Sequence, residues 1–143
     1  MRIRDVLAAK ADQAVLTVAP DLSVRDLVAR LAEHNVGALV VSSDGLSVDG
    51  IVSERDVVRH LHEDPEVLSA EVRTIMTTEV HSCSPDVDLD DLMGAMTERR
   101  IRHVPVLDAG RMVGIVSIGD VVKHKISSLQ FERDQLDHYV HQT

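Results

Sequence analysis

Apolar positions in this chain alternate between short continuous runs and one-sided helical stripes, and the alternation occurs twice. Ile3, Val6 and Leu7 fall on one side of a short lead-in helix over residues 3–10. Residues 14–18 predict a strand ending at Pro20. Ser23 stands where a helix N-cap is needed, with Asp26 at the capping-box position. Val24, Leu27, Val28, Leu31 and Ala32 then keep the spacing of an amphipathic helix, which Asn35 and Gly37 end. Residues 38–41 are a continuous, largely β-branched run and predict a buried strand. A polar turn over 42–49, containing Asp44-Gly45, leads into a strand opening at Gly50. Val57, Val58 and Leu61 predict the buried stripe of the helix that follows, broken at Asp64-Pro65.

The second half repeats this order. Residues 72–76 form another short lead-in, and residues 80–84 predict a strand ending at Pro85, the counterpart of Pro20. Asp88 stands as the cap of a helix with Leu89, Leu92, Met93 and Met96 on one face. Residues 101–107 read as the strand paired with residues 36–42, and Asp108-Ala109-Gly110-Arg111 as a tight hairpin into a strand ending at Val116. The repetition is explicit at the last strand and helix. Gly50-Ile51-Val52-Ser53-Glu54-Arg55-Asp56-Val57-Val58-Arg59-His60 recurs at 114–124 with eight of eleven positions identical. An internal duplication follows. The pattern predicts an α+β fold, sandwich-like, of two tandem β-α-β-β-α repeats packed with pseudo-twofold symmetry, plus a C-terminal helix. The expected divisions are 1–66, 67–127 and a helical tail over 128–143. In the tail, Ile126, Leu129, Leu136, Tyr139 and Val140 are spaced as a helix that either lies on its own module or pairs with a second copy. The spacing does not choose between these.

Ser53-x-x-Asp56 and Ser117-x-x-Asp120 each join a strand to a helix. Plain capping explains one such box: the hydroxyl takes a free backbone N–H and the carboxylate sits in the positive first turn. Two in register, each opened by Gly, also suit a helix end that holds an anionic ligand.

Composition narrows the choices. The 44% apolar content suits a folded chain, and a core almost without aromatics has to be built from Val, Leu, Ile, Ala and Met. A formal charge of −9 argues against nucleic acid as the main partner, though not against a small anion in a local positive pocket. The one cysteine, Cys83, excludes an internal disulfide framework and fits a reducing compartment. Residues 1–5 lack the apolar segment of a secretory signal, and no run nears the ~20 apolar residues of a membrane span, so a cytoplasmic location is expected. There is no nucleophile elbow, Walker loop, zincin motif or dinucleotide Gly-x-Gly-x-x-Gly, so no enzyme activity is expected. Asp86, Asp88, Asp90 and Asp91 cluster at a helix start, where capping accounts for them. His60-x-His62 and His138-x-x-His141 have spacings seen at metal sites, but no ligand constellation accompanies them and no metal is expected.

The tandem repeats, with Gly-Ile-Val-Ser-x-x-Asp opening each last helix and Arg-His-Val-Pro-Val at 102–106, resemble a cystathionine-β-synthase (CBS) domain pair, or Bateman module, of the stand-alone kind. The likeness spans residues 3–125. It implies a regulatory, signal-transducing module whose ligand is adenosine-based: AMP, ADP, ATP, NAD or S-adenosylmethionine. In such a module Asp56 and Asp120 would accept from vicinal ribose hydroxyls, and Ser53 and Ser117 would donate to a phosphate or hydroxyl. Ile51 and Ile115 would flank adenine, and backbone around Val18-Ala19-Pro20 and Cys83-Ser84-Pro85 would read its edge. The resemblance also implies that each lip would be completed by the strand entry of the other repeat. One cleft would then pair Ser53, Arg55 and Asp56 with Arg102 and His103, and the other Ser117 and Asp120 with Gly37 and Ala38. With more cations, the first is expected to bind phosphate-bearing ligands more tightly, and the second to prefer a less charged ligand or to stay empty. A homodimer and an unidentified protein target are the expected macromolecular partners. The alternatives are an interaction protein whose clefts stay unoccupied and, further off, a metal-binding protein.

Overall fold

The computed structural model describes residues 1–10 and 16–141. Helix α1 (Ile3–Ala9) begins with the Asp5 carboxylate reaching back to the Arg2 N–H at 3.0 Å. Helix α2 (Val24–His34) is capped by Ser23, whose Oγ accepts the Asp26 N–H at 3.1 Å, and is ended by Asn35 in the left-handed region. Helix α3 (Glu54–Glu63) follows Ser53 directly and stops at Asp64, ahead of Pro65. Two short 3-10 turns, Pro65–Ser69 and Val72–Thr74, lead to α4 (Leu89–Arg99). Asp88 occupies the cap position of α4 but its side chain makes no cap bond. The Leu89 N–H donates instead to the Met1 carbonyl at 2.9 Å, so another segment of chain meets that helix end.

The first sheet has the order β1 (Thr17–Val18), β2 (Ala38–Val41), β3 (Gly50–Ser53), parallel between the first two and antiparallel between the last two. Of the expected strand over 14–18, residues 14 and 15 lie outside the described residues. The second sheet is β4 (His103–Asp108) paired antiparallel with β5 (Arg111–Ser117). Its two-residue turn puts Ala109 and Gly110 at φ 53° and 79°, the geometry that matches the twist of a hairpin. Residues 101–107 are the counterpart of 36–42 but are not hydrogen-bonded to them. The expected strand over 80–84 shrinks to one bridge, Cys83 with Val106. The cause is Pro105. Cys83 N–H donates to the Pro105 carbonyl and Leu107 N–H to Cys83, but the next ladder bond, to His81, needs an N–H on Pro105 that proline lacks.

Two hydrophobic cores form, and the lead-ins are exchanged between them. Ile3 and Val6 of α1, both fully buried, pack with Leu89, Leu92, Met96, Val104, Val106, Val116 and Val121 of the second repeat. Val67, Val72 and Ile75 pack with Val24, Leu27, Leu39 and Val52 of the first. Backbone bonds fix the exchange: Ile3 and Arg4 N–H donate to the Val87 and Pro85 carbonyls, and Val72 N–H to Leu22. Each lead-in also explains a glycine. A Cβ on Gly50 would lie 2.8 Å from the Thr77 carbonyl oxygen, and one on Gly114 2.6 Å from Leu7 Cδ2. The Gly-Ile-Val-Ser segments open with Gly because the chain passes directly over them.

The buried stripes are narrower than their spacing predicts. Val24, Leu27 and Leu31 are buried, whereas Val28 and Ala32 are exposed; Val57 is buried, whereas Val58 and Leu61 are exposed. Met93 is half-buried. Neighbouring helix positions are turned about 100° apart, so a helix resting on a small sheet covers one ridge and leaves the next in solvent. Helix α5 runs unbroken from Ile118 to His141, so the expected tail continues the last helix of the second repeat. Ile126, Leu129, Phe131, Leu136, Tyr139 and Val140 on it are all exposed, so it does not lie on its own module.

Candidate functional site

At the β3–α3 junction Ser53 and Asp56 hold each other. Asp56 Oδ2 accepts the Ser53 N–H at 2.9 Å and the Ser53 hydroxyl at 3.1 Å, and Ser53 Oγ accepts the Asp56 N–H at 3.3 Å. Asp56 Oδ1 takes no bond among the described residues. The first N–H of the helix, on Glu54, donates to the Gly37 carbonyl at 3.0 Å. Among the described residues that leaves the Arg55 N–H without a protein acceptor at the positive end of the helix. A free acceptor and a free donor among the described residues therefore stand side by side, on two residues that line a cavity of about 350 Å³, within the range of small-molecule sites.

Both repeats wall this cavity. Ile51, Ser53, Arg55 and Asp56 come from the first; Arg100, Ile101, Arg102 and His103 approach from the end of α4 and the start of β4. All six residues expected at the first cleft are thus together. Gly37 and Ala38, expected at the second, line this one instead. A Cβ on Gly37 would lie 3.7 Å from His103 Cε1, so the two strand entries meet across the pseudo-twofold and one pair serves the first cleft. The residues expected at an adenine edge do not line it. Val18, Ala19, Pro20, Cys83, Ser84 and Pro85 all have carbonyls committed to the fold, accepting from Ser42, Leu22, Arg73, Leu107, Val87 and Arg4. Thr77, Glu79, Val80 and His81 line the cavity. Arg100 was also missed. It ends α4 in the left-handed region, at φ 56°, the place that Asn35 fills in the first repeat.

The second lip differs. Ser117 Oγ accepts the Asp120 N–H at 3.1 Å and Asp120 Oδ2 accepts the Ser117 N–H at 3.0 Å, as in the first. Here, however, Lys10 Nζ donates to the same Oδ2 at 3.0 Å and to the Ile115 carbonyl at 2.9 Å. The expected absence of charge opposite Asp120 is therefore corrected: an ammonium from the lead-in holds this carboxylate. His60 Nδ1–H donates to the Asp56 carbonyl at 2.8 Å, and no group of three His, Cys, Asp or Glu side chains is placed to hold a metal among the described residues.

Two lips of one design, built by a duplicated chain with exchanged lead-ins, are what comparison with known proteins has to match. The family model of the CBS domain matches this chain twice, at residues 3–63 and 72–127. The chain belongs to the CBS domain family. A mitochondrial CBS domain-containing protein of Arabidopsis thaliana is 37% identical over 146 residues, covering 96% of this chain and 71% of that protein. The crystal structure of a CBS-domain containing protein from Agrobacterium tumefaciens superposes with a TM-score of 0.83 at 41% identity, over 87% of this chain and 99% of that one. The CBS domain pair of protein MJ0100, solved in complex with 5′-methylthioadenosine and S-adenosyl-L-methionine, shares the fold at TM-score 0.78 and 24% identity, over 90% of this chain and 98% of that one. No helix among the described residues is long and apolar enough to cross a membrane.

Within this CBS pair His103 sits where the two clefts adjoin, as the strand partner of Ser117 in β5 and a wall of the first cavity. Burial holds its pKa below the usual histidine value; Asp120 pulls the other way, while Lys10 and Arg102 add to the lowering. The unfolded chain therefore takes up this proton more readily than the folded one. The neutral ring's stability contribution is complete above about pH 6.5 and is lost as pH falls from there toward the folded value. Melting temperature is expected to drop as pH falls below about 6.5, and His103→Gln to flatten that drop; equal slopes in the two proteins by scanning calorimetry would refute it. Asp120 acts lower. Burial, its largest influence, raises its pKa, but the Ser117 N–H and Lys10 outweigh it and the net shift is downward. Its contribution fades only as pH falls below the ordinary carboxylate range. Burial also pushes the Cys83 thiol up.

Proposed function

We propose that this CBS pair is a regulatory module that binds a phosphate-bearing adenosine ligand, of the AMP, ADP, ATP or NAD type, in its first cleft. One observation carries the reading: Asp56, with an open acceptor, and Arg55, with an open N–H, line a cavity that Arg100 and Arg102 of the other repeat also line. A carboxylate suits vicinal ribose hydroxyls, and a helix N-terminus flanked by guanidinium groups suits a phosphate. The adenosine ligands held by the MJ0100 domain pair support the base and sugar part of this reading. Because the walls belong to different repeats, a ligand that bridges them favours one relative placement of the two, and that difference in affinity is what a regulatory output requires.

A thermal-shift screen of the full chain against adenosine, AMP, ATP, NAD and S-adenosylmethionine tests it. A ligand at about 100 times its Kd adds about 2.7 kcal/mol, and the phosphate-bearing ones are expected to give the larger shifts. No shift with any of them sinks the proposal. It would favour the second reading, an interaction protein with unused clefts, for which one observation speaks: the row of exposed apolar side chains along α5. A homodimer through that helix belongs to the same reading.

A further inference from the structure

Helix α5 leaves the module part-way along its length. Val121 is fully buried in the second core, and the Lys125 ammonium meets the Asp90 carboxylate of α4 at 2.9 Å. From Leu129 to His141 every residue is exposed. Tertiary packing supplies most of a helix's stability, so a projecting stretch of this kind calls for something to pack against. Its sequence supplies a face for that. Val122, Ile126, Leu129, Arg133, Leu136 and Val140 follow one another at steps of four, three, four, three and four residues, the a/d rhythm of a coiled-coil seam. All six are exposed, and Arg133 is the one polar member. At 1.5 Å per residue the seam is about 27 Å long. Charge flanks it unevenly. Lys123 lies beside one end and Asp137, on the same side, beside the other, with Glu132 on the opposite side.

We propose that this seam pairs with the same seam of a second copy of the chain, antiparallel, with Leu129 of each strand opposite the partner's Arg133. In that register each Lys123 stands beside the partner's Asp137, so the attraction is made twice. Val122 meets the partner's Val140 and Ile126 the partner's Leu136, and apolar layers close both ends. Arg133, set against a leucine near the centre, carries its guanidinium out past the edge of the seam to water while its stem packs. The same residues disfavour a parallel pair. That arrangement stacks Arg133 on the partner's Arg133 inside the seam and sets Glu132 against the partner's Asp137 on both sides. The antiparallel register has one like-charge meeting, Glu132 with its own copy at the twofold axis, and the Arg133 beside each offsets it. Phe131 falls on the outer side of the helix, away from the seam. The pairing deepens the α5 homodimer named above and does not depend on what the first cleft holds.

Sedimentation equilibrium of the full chain, without ligand, tests this. The wild type is expected to be a dimer at micromolar concentration. Leu136→Glu, which puts a charge in the seam, should weaken the dimer at least about 100-fold while the monomer still unfolds cooperatively, since Leu136 belongs to neither core. Phe131→Ser should leave association unchanged. Lys123→Glu should weaken it by about tenfold at low salt, and Lys123→Glu combined with Asp137→Lys should restore it. A monomeric wild type, or a dimer that Leu136→Glu leaves intact, overturns pairing through α5. Loss of the dimer in Leu136→Glu with no weakening in Lys123→Glu, or with no rescue in the double variant, overturns the antiparallel register alone. The thermal-shift screen decides the reading of the first cleft separately, so neither failure can be mistaken for the other.

Discussion

Ile3→Ala is expected to lower stability by about 2–5 kcal/mol, the cost of emptying a fully buried branched side chain. The informative part is where the damage falls. By chain order Ile3 precedes the first repeat, yet its side chain is packed among Leu89, Leu92, Val104 and Val116. Amide hydrogen exchange in the variant should therefore speed up first in β4 and β5, with β2 and β3 following only when the whole domain opens. Val72→Ala should give the converse, since Val72 is fully buried against Val24, Leu27 and Val52 in the first core. A loss below 1 kcal/mol for Ile3→Ala, or faster exchange confined to β2 and β3, would contradict the exchanged packing.

Arg102→Ala is expected to weaken AMP at the first cleft by about tenfold and to leave adenosine binding there unchanged. A hydrogen bond to a charged group contributes about 1.5–3 kcal/mol, and the exposure of Arg102 places it at the lower end of that range through solvent screening. The comparison of the two ligands isolates the phosphate, because base and sugar contacts are common to both. Arg100→Asn provides a check with an independent sign. It should cost a similar factor in AMP affinity while raising the stability of the ligand-free protein by roughly 1 kcal/mol, because asparagine tolerates the left-handed conformation that arginine occupies under strain. Both effects are readable from one set of melts with and without AMP. Equal weakening of AMP and adenosine by Arg102→Ala would show that this arginine shapes the cavity rather than meeting the phosphate.

Most of the architecture was legible because local chemistry and burial agree. Ser23, Asn35, Asp64-Pro65 and the Asp108–Arg111 turn each mark a boundary by a specific backbone requirement, and the structure puts boundaries there. The duplicated Gly-Ile-Val-Ser-x-x-Asp located both lips. What escaped is what depends on distant chain. Nothing in the local pattern of residues 3–10 says which core receives Ile3 and Val6, since the periodicity names a buried face without naming its partner. Lys10 escaped for the same reason: it reads as a helix-end cation until α1 is laid on the second repeat. The absent strand before Cys83 had a visible cause, Pro105, but a missing N–H matters only once the register of Cys83 against Val106 is known. Val28, Val58 and Leu61 show the limit of a stripe read without its neighbour, because a small sheet covers fewer positions than the spacing offers.

The crossed lead-ins also constrain the order in which the molecule is completed during synthesis. The first core closes once Ile75 has emerged, since every member lies at or before that residue. Ile3 and Val6 have to wait, uncovered, for Val104, Val116 and Val121, roughly a hundred positions downstream, before they find their neighbours. Residues that leave the ribosome well before the second repeat are thus among the last to be shielded. A nascent chain paused between the two halves would display that greasy arm to whatever chaperone or sister chain is nearby.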